Sequence, residues 1–507
     1  MQNADEFLKA RSYFQLGILP TEQANPMTGD LSEWAATDLD RGIKALQLVD
    51  VTALRKTAAL YPIAAEMRLA CLATLKSGGR IFLCGCGATG RLALSLEYLW
   101  RREHSDSDQV ISFMAGGDVA LVHSLEGFED YPERGARQLE ELGFTSHDLL
   151  ISSSEGGETP FVIGATERAA EIAERKPYFL YCNPTEILIK NIDRSKKIIE
   201  NPRIEAREIF VGSMSLSGST RMQASTVLML IMGLALLTPA ESEVEEKLKR
   251  WISFYEEMDL TLLRGFILKE AETYLEGHRT VYAADEFAIT VMTDTTERAP
   301  TFNLTPFDNQ LISQTEPSLS YVMLPKSYDV QSSWRALLAR APRPLDWPEA
   351  SFKATGQYLV GFDFSQKALA FRKKIAPQSE HRVFAISRVE DDLCWSFQGI
   401  EKRIPLNSGH QLFQHLTLKM LMNIHSTLVM GRLKRYQGNF MTWVYPSNGK
   451  LVDRAARYSI WLLEREGIKN ASYEEIVKIQ FEVKKTLQSK ESIVVKTAAK
   501  YKATHSS

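Results

Sequence analysis

The sequence predicts an α/β protein: two three-layer α/β/α domains with parallel sheets, followed by a helical C-terminal lid. Three observations lead there. A chain of 507 residues exceeds what one hydrophobic core sustains, so two domains of roughly 200 residues are expected. Short apolar strands alternate with helical periodicity, which implies parallel sheets with right-handed crossovers. After the charged run ESEVEEKLKR at 241–250 the same rhythm restarts, as a second α/β unit would.

Taken in order, residues 1–60 form a helical segment interrupted by the turn Asn25-Pro26-Met27-Thr28-Gly29-Asp30. The first α/β domain, 61–240, begins with a helix ending at Ser77-Gly78-Gly79. Its strands are expected at Arg80–Cys84, Val110–Met114, Asp148–Ser152, Tyr178–Tyr181 and Glu208–Val211. Helices are expected at Arg91–Trp100 and Phe161–Glu174, and a long apolar helix closes the domain. The second, diverged domain, 241–428, has strand candidates at Arg279–Ala284, Leu319–Leu324, Gln357–Phe362 and Arg382–Ile386. Residues 429–507 are helix-rich and charged and form the cap, with a frayed end.

Composition narrows the function. With 44% hydrophobic residues, 24% charged residues and a net charge of −3, nothing argues for nucleic acid as the main partner. The N-terminal residues lack a continuous apolar stretch and a small-residue cleavage site, so a cytoplasmic protein is expected. The longest apolar run, Val227–Leu237, is about half of the ~20 residues that span a bilayer and reads as a buried helix, with no membrane partner. Cys71, Cys84, Cys86, Cys182 and Cys394 have no zinc-site spacing and read as reduced core thiols. His410, His415 and His425 lack the i, i+4 spacing of a metal pair and read as satisfied polar residues on a helix. Neither a metal nor another cofactor is expected.

The chemistry concentrates in three loops. Gly85-Cys-Gly-Ala-Thr-Gly-Arg91 follows a strand and opens a helix, where free backbone N–H groups and the positive helix end offer an anion site. Gly85, Gly87 and Gly90 would admit a phosphate close to the backbone, Thr89 would add a hydroxyl, and Arg91 begins the helix. No acidic residue closes the next strand near position 114 to hold a ribose, which counts against a dinucleotide. Two more loops, Ser152–Thr159 and Ser215–Arg221, also follow strands and carry small hydroxyl residues. Ser154, Thr159, Ser217, Ser219 and Arg221 are therefore candidate phosphate ligands, although such hydroxyls ordinarily cap helices. Three loops at the ends of one sheet's strands would converge on one small anionic ligand.

At this point a family resemblance enters. The segments Thr21–Pro26, 85–91, Ala115–Asp118, Glu126–Asp130, Thr159–Ala165 and Ser217–Met222 occur in the order found in N-acetylmuramic acid 6-phosphate etherases. They resemble the glucokinase regulatory protein equally, and both belong to the sugar isomerase (SIS) domain superfamily. In the second half, Asp294–Phe302 is similar to the etherase segment with a catalytic glutamate, and Ser447–Arg454 resembles the family's C-terminal lid. The resemblance implies two SIS domains in tandem, an internal pseudo-dimer with one active pocket. The second pocket is expected to be dead, because Asp285, Glu286 and Phe287 stand where the first half has its glycine turn.

By the same resemblance, Glu126 is the base and Glu297 the acid of an elimination, and Lys450 of the lid contacts the phosphate or sugar. Releasing a C3 lactyl ether needs both a proton acceptor and a proton donor. In the first half Leu99 aligns with the family's glutamate, and nearby Glu97 is read as a helix-surface residue. Ala88, Gly156 and Met214 depart from the family pattern, the first two removing phosphate contacts and the third a glutamate. The leading expectation is a lyase that releases D-lactate from N-acetylmuramic acid 6-phosphate. The alternative is a non-catalytic phosphosugar sensor that regulates a sugar kinase, and a sugar-phosphate isomerase ranks third. The expected partner is a phosphorylated hexose or amino sugar, joined by a sugar kinase under the regulatory reading.

Overall fold

A computed structural model describes residues 3–104, 108–125, 127–238, 243–314, 316–488 and 491–505. The first half holds five strands: β1 (Ile81–Gly85), β2 (Val110–Met114), β3 (Leu149–Ser154), β4 (Tyr178–Tyr181) and β5 (Glu205–Glu208). They form one all-parallel sheet in the order β2-β1-β3-β4-β5. Strands β1 to β4 are buried along their whole length, as expected of parallel strands covered on both faces by crossover helices. The edge strand β5 is only half-buried and its sequence, EARE, is mostly charged. Charge on an edge discourages pairing with another chain.

The second half repeats the theme with a difference. Strands β6 (Arg279–Ala283), β7 (Ser320–Met323) and β8 (His381–Val389) are parallel, while β9 (Asp392–Phe397) and β10 (Ile400–Pro405) continue the sheet antiparallel. The fold class is the expected one, but this sheet is mixed. Gln398 and Gly399, both at positive φ, form the tight β9–β10 turn. The expected strand over Gln357–Phe362 is instead a short helical turn, Gly356–Leu359, whose N-terminus is capped by the Thr355 hydroxyl. A short apolar run does not distinguish strand from buried helix, and the cap decides it. The expected strand at Glu208–Val211 lies three residues earlier, where register with β4 pairs Tyr181 with Glu208.

Two helices tie the halves together. Gln223–Leu237 is buried at every position and packs against the helices Tyr61–Lys76, Ala88–Glu103 and Gln411–Arg432. Helix Ala88–Glu103 in turn contacts Ala288–Phe302 of the second half. Among the described residues no single helix is long and apolar enough to cross a membrane. The five cysteines are unbridged, in keeping with the thiol reading.

Glu97 is not a surface residue. It is 1% exposed and sits between Arg101, Arg340 and Arg343 at 3.0–3.1 Å, with Ser112 donating to it. Burial by itself would raise the Glu97 carboxyl, but the guanidinium groups outweigh it and hold the carboxyl near 2. Because Arg340 and Arg343 come from the second half, and Arg340 also reaches Asp118, this charge cluster clamps the two halves. Of the histidines, His415 shares a hydrogen bond with Thr290, whereas neither ring nitrogen of His425 has a hydrogen-bond partner among the described residues, although one lies 3.3 Å from Glu270.

A composite cavity at the carboxyl ends of β1 and β3

In the first sheet the chain leaves β1 for β2 on one side and returns to β3 on the other. The crevice outside the carboxyl ends of β1 and β3 is thus a topological switch point, where α/β proteins place ligands. A cavity of about 220 Å³ opens there. Its walls come from four parts of the chain: the loops after β1 to β3 with 218–221; Leu16, Leu19, Thr21 and Glu22 near the N-terminus; Glu297, Pro300 and Thr301 of the second half; and Met441, Asn448, Lys450, Leu451 and Arg454 near the C-terminus.

The candidate residues divide into lining and supporting groups. Gly87, Arg91, Thr159, Ser219, Arg221, Lys450 and Glu297 line the cavity. Gly85, Thr89, Gly90, Ser154 and Ser217 do not, and each is buried in the loop framework instead. A Cβ on Gly85 would meet the Thr89 carbonyl carbon at 2.3 Å, so glycine there lets the helix start directly on the strand end. The Thr89 hydroxyl accepts from the Cys86 amide and donates to the Cys86 carbonyl, both at 2.9 Å, which closes the turn on itself. Its one proton is spent there, contrary to the expected phosphate contact. The Ser154 hydroxyl likewise accepts from the amides of Gly157, Glu158 and Thr159 at 3.1–3.4 Å, filling the nest an anion would otherwise occupy. The Ser217 hydroxyl donates to the Glu22 carbonyl. Glu126 lies outside the described residues.

The two arginines are structural anchors as well as wall residues. Arg91 donates to the carbonyls of Leu121 and Ala120 and to the Thr296 hydroxyl, and its guanidinium meets the Glu297 carboxylate at 2.5 Å. A first-half arginine thereby holds the second-half glutamate against the glycine turn. Arg221 pairs with Asp294 at 2.8 Å and donates to Ser426 and Thr427, leaving its Nε without a partner among the described residues. Lys450 lies 3.3 Å from Glu158. Burial opposes its charge, but Glu158, Glu22 and Glu129 prevail and keep the ammonium protonated well past its ordinary range. In the second half, Phe287 is fully buried and Glu286 is paired with Arg388.

Several wall residues escaped sequence reasoning. Glu22 is gripped by Arg454 through two hydrogen bonds at 2.6 and 3.0 Å. Burial would raise its carboxyl, yet Arg454, Lys450 and Arg457 bring it to about 2. Both residues lie in segments that carried the family resemblance, at 21–26 and 447–454, so their signal was present without an assigned role. Glu155 and Glu158 sit in the loop read for its hydroxyls. Glu158 is paired with Arg194 and Lys450. Glu155 is pushed up to about 8, chiefly by burial and further by Glu297 and Glu129. Cys86 contributes a thiol within 3.6 Å of Glu129, and burial followed by Glu129 and Glu155 keeps it protonated.

Comparison with known proteins places this geometry. The family model of the glucokinase regulatory protein N-terminal SIS domain matches residues 63–170. An N-acetylmuramic acid 6-phosphate etherase from Gloeobacter violaceus is 32% identical over 231 residues, which is 45% of this chain and 69% of that protein. The chain belongs to the N-acetylmuramic acid 6-phosphate etherase family. Another etherase of this family, from Bacillus subtilis, is 30% identical over 220 residues, 43% of this chain and 66% of that protein. One from Thermosynechococcus vestitus is 33% identical over 211 residues, 41% of this chain and 64% of that protein, so the match spans just under two thirds of its length. Among solved structures, tagatose-6-phosphate ketose/aldose isomerase from Escherichia coli aligns with 84% of this chain and 100% of that chain, at 15% identity and a TM-score of 0.44.

Proposed function

We propose that this family member binds a phosphorylated amino sugar in the composite cavity and, as a cytoplasmic lyase, releases D-lactate from N-acetylmuramic acid 6-phosphate. The observation that carries the reading is the Arg91–Glu297 pair, which sets a carboxylate of the second half beside the glycine turn of the first. Lys450, Ser219, Thr159 and the backbone at Gly87 would hold the phosphate, assisted by the uncapped start of helix Ala88–Glu103. In the elimination, Glu126 takes the C2 proton, the C3–O bond breaks, and Glu297, which must first take up a proton against its Arg91 pairing, delivers it to the departing lactate oxygen. The etherase relatives support the reaction class. The domain division at about 60, 240 and 428 and the internal pseudo-dimer belong to the same proposal.

A second reading, a phosphosugar sensor acting on a sugar kinase, is favoured by the match to the regulatory protein's domain and by two sheets in one chain. One assay separates the two. Incubation with N-acetylmuramic acid 6-phosphate should yield D-lactate over many turnovers, and Glu126→Gln should bind the sugar phosphate but release none. Wild-type protein that binds it without releasing lactate rejects the lyase and favours the sensor.

A further inference from the structure

The cavity wall carries polar atoms that the protein itself leaves unsatisfied. Glu155 is 8% exposed, and its Oε1 has no hydrogen-bond partner among the described residues; the Ser219 hydroxyl, at 3% exposure, has none either. Buried polar atoms without partners are rare in folded proteins and cost about 1–3 kcal/mol each, so a pair on one cavity wall points to a ligand that completes them. The position of Glu155 is not adjustable slack. Its carbonyl accepts from the Cys182 amide, the Asn183 side chain holds the Gly156 carbonyl, and the Ser195 hydroxyl holds the Gly157 carbonyl. The loop is fastened on both sides, and the carboxyl is presented rather than stranded.

We propose that Glu155 binds the ligand directly as a neutral carboxylic acid, donating a hydrogen bond to an anionic oxygen of the sugar phosphate, with Ser219 as a second donor. The assignment rests on the sugar-phosphate reading above. In this loop the Ser154 hydroxyl already consumes the backbone amides, so the usual amide cradle is closed to an anion. A protonated carboxyl can take over the donor's role where its surroundings keep it neutral. The surroundings do so: burial is the largest cause, Glu297 of helix Ala288–Phe302 and Glu129 of the loop after β2 further disfavour a negative charge, and these outweigh the backbone hydrogen bond at Glu155 itself and Lys450 of helix Gly449–Arg465, which favour it. The two thiols that face Glu155, Cys86 of the glycine turn and Cys182 after β4, are themselves held protonated by burial. Lys450 stays charged throughout the alkaline range in question. Glu155 is therefore the wall group whose ionisation changes the cavity between pH 7.5 and 9.5, and its ionised form would repel the ligand. Lys419, which donates to the Arg221 carbonyl behind the wall and is lowered to about 7 by burial, is already mostly neutral at pH 7.5 and titrates alike in wild type and Glu155→Gln.

The test is calorimetric titration of the full chain with N-acetylglucosamine 6-phosphate from pH 7.5 to 9.5, where the phosphate is already a dianion, for wild type, Glu155→Gln and Glu155→Ala. Circular dichroism confirms folding at each pH. Wild-type affinity should fall at least tenfold across the range. Glu155→Gln keeps a donor that cannot ionise, so at pH 9.5 it should bind at least tenfold tighter than wild type. Glu155→Ala should bind about tenfold weaker than wild type at pH 7.5, the effect of one hydrogen bond to a charged group. A wild-type affinity independent of pH, or a parallel fall in Glu155→Gln, overturns the proposal. A rise with pH also overturns it, because Glu155 would then be accepting from a cationic group. Failure of the wild type to bind at any pH rejects the sugar-phosphate reading itself, whereas loss confined to Glu155→Gln at pH 7.5 rejects this assignment alone.

Discussion

Glu155 also leaves a signature in the empty protein. Its folded carboxyl titrates near 8 against an ordinary value of 4.5, so between those values the folded chain keeps a proton that the unfolded chain releases. Stability must therefore fall as pH rises through that window, by up to about 1.4 kcal/mol per pH unit, and level off above it. Thermal unfolding from pH 5 to 8 should show this slope in wild type and a shallower one in Glu155→Gln; equal slopes would place the proton elsewhere. At this scale the sequence was only partly informative. Thr89 and Ser154 are hydroxyls in glycine-rich loops, the pattern that suggests phosphate ligands, yet both are spent on bracing their own turns. Nothing in spacing alone separates a hydroxyl that faces a cavity from one that closes a loop. Glu155 and Glu158 were passed over because carboxylates argue against a phosphate until burial and pairing are known.

Among elements, the loop after β3 is tightly constrained. Gly157 has φ +76°, and a Cβ there would come within 2.7 Å of Leu188 and 3.0 Å of Tyr181. Gly157→Ala should cost about 1–3 kcal/mol of stability from backbone strain. It should also weaken the thermal shift given by N-acetylglucosamine 6-phosphate, since Glu155 and Thr159 flank the distortion. A mutant that loses stability but keeps the full shift would show that the loop does not carry the ligand. The strands that position this loop were legible: Val110–Met114 and Tyr178–Tyr181 match their expected bounds, because fully buried parallel strands are continuous apolar runs between turns. The hairpin Asp392–Pro405 was missed, since Glu401, Lys402 and Arg403 run consecutively through β10 and break the apolar alternation of a strand, and its turn is Gln398-Gly399 rather than a stronger turn pair. Register, not composition, fixed β5.

The whole molecule depends on the halves staying in one arrangement, and the cluster of Glu97, Arg101, Arg340, Arg343 and Asp118 is a main fastening. The Glu97 carboxyl is depressed from 4.5 to about 2, so its contribution is complete above pH 4.5 and is lost as pH falls towards 2. Glu97→Gln should flatten that acid limb, and Arg340→Ala should cost roughly 3–5 kcal/mol by leaving the buried Asp118 carboxylate without its guanidinium partner, while Glu97 keeps Arg101 and Arg343. Urea unfolding at pH 7 and pH 3 checks both, and an unchanged acid limb in Glu97→Gln would remove the clamp from the explanation. The sequence showed that two α/β units were present and that a second-half glutamate could complete the first-half site. It could not show the clamp, because Glu97 pairs with residues more than 240 positions away.

The central claim is one composite sugar-phosphate site per chain. Calorimetric titration of the full chain with N-acetylglucosamine 6-phosphate at pH 7.5 tests it most directly, with Ser219→Ala sampling the first half and Lys450→Met the C-terminal helices. One site per chain, weakened at least tenfold by Lys450→Met and measurably by Ser219→Ala, is the predicted result. Two sites per chain, or an affinity indifferent to both substitutions, would contradict it.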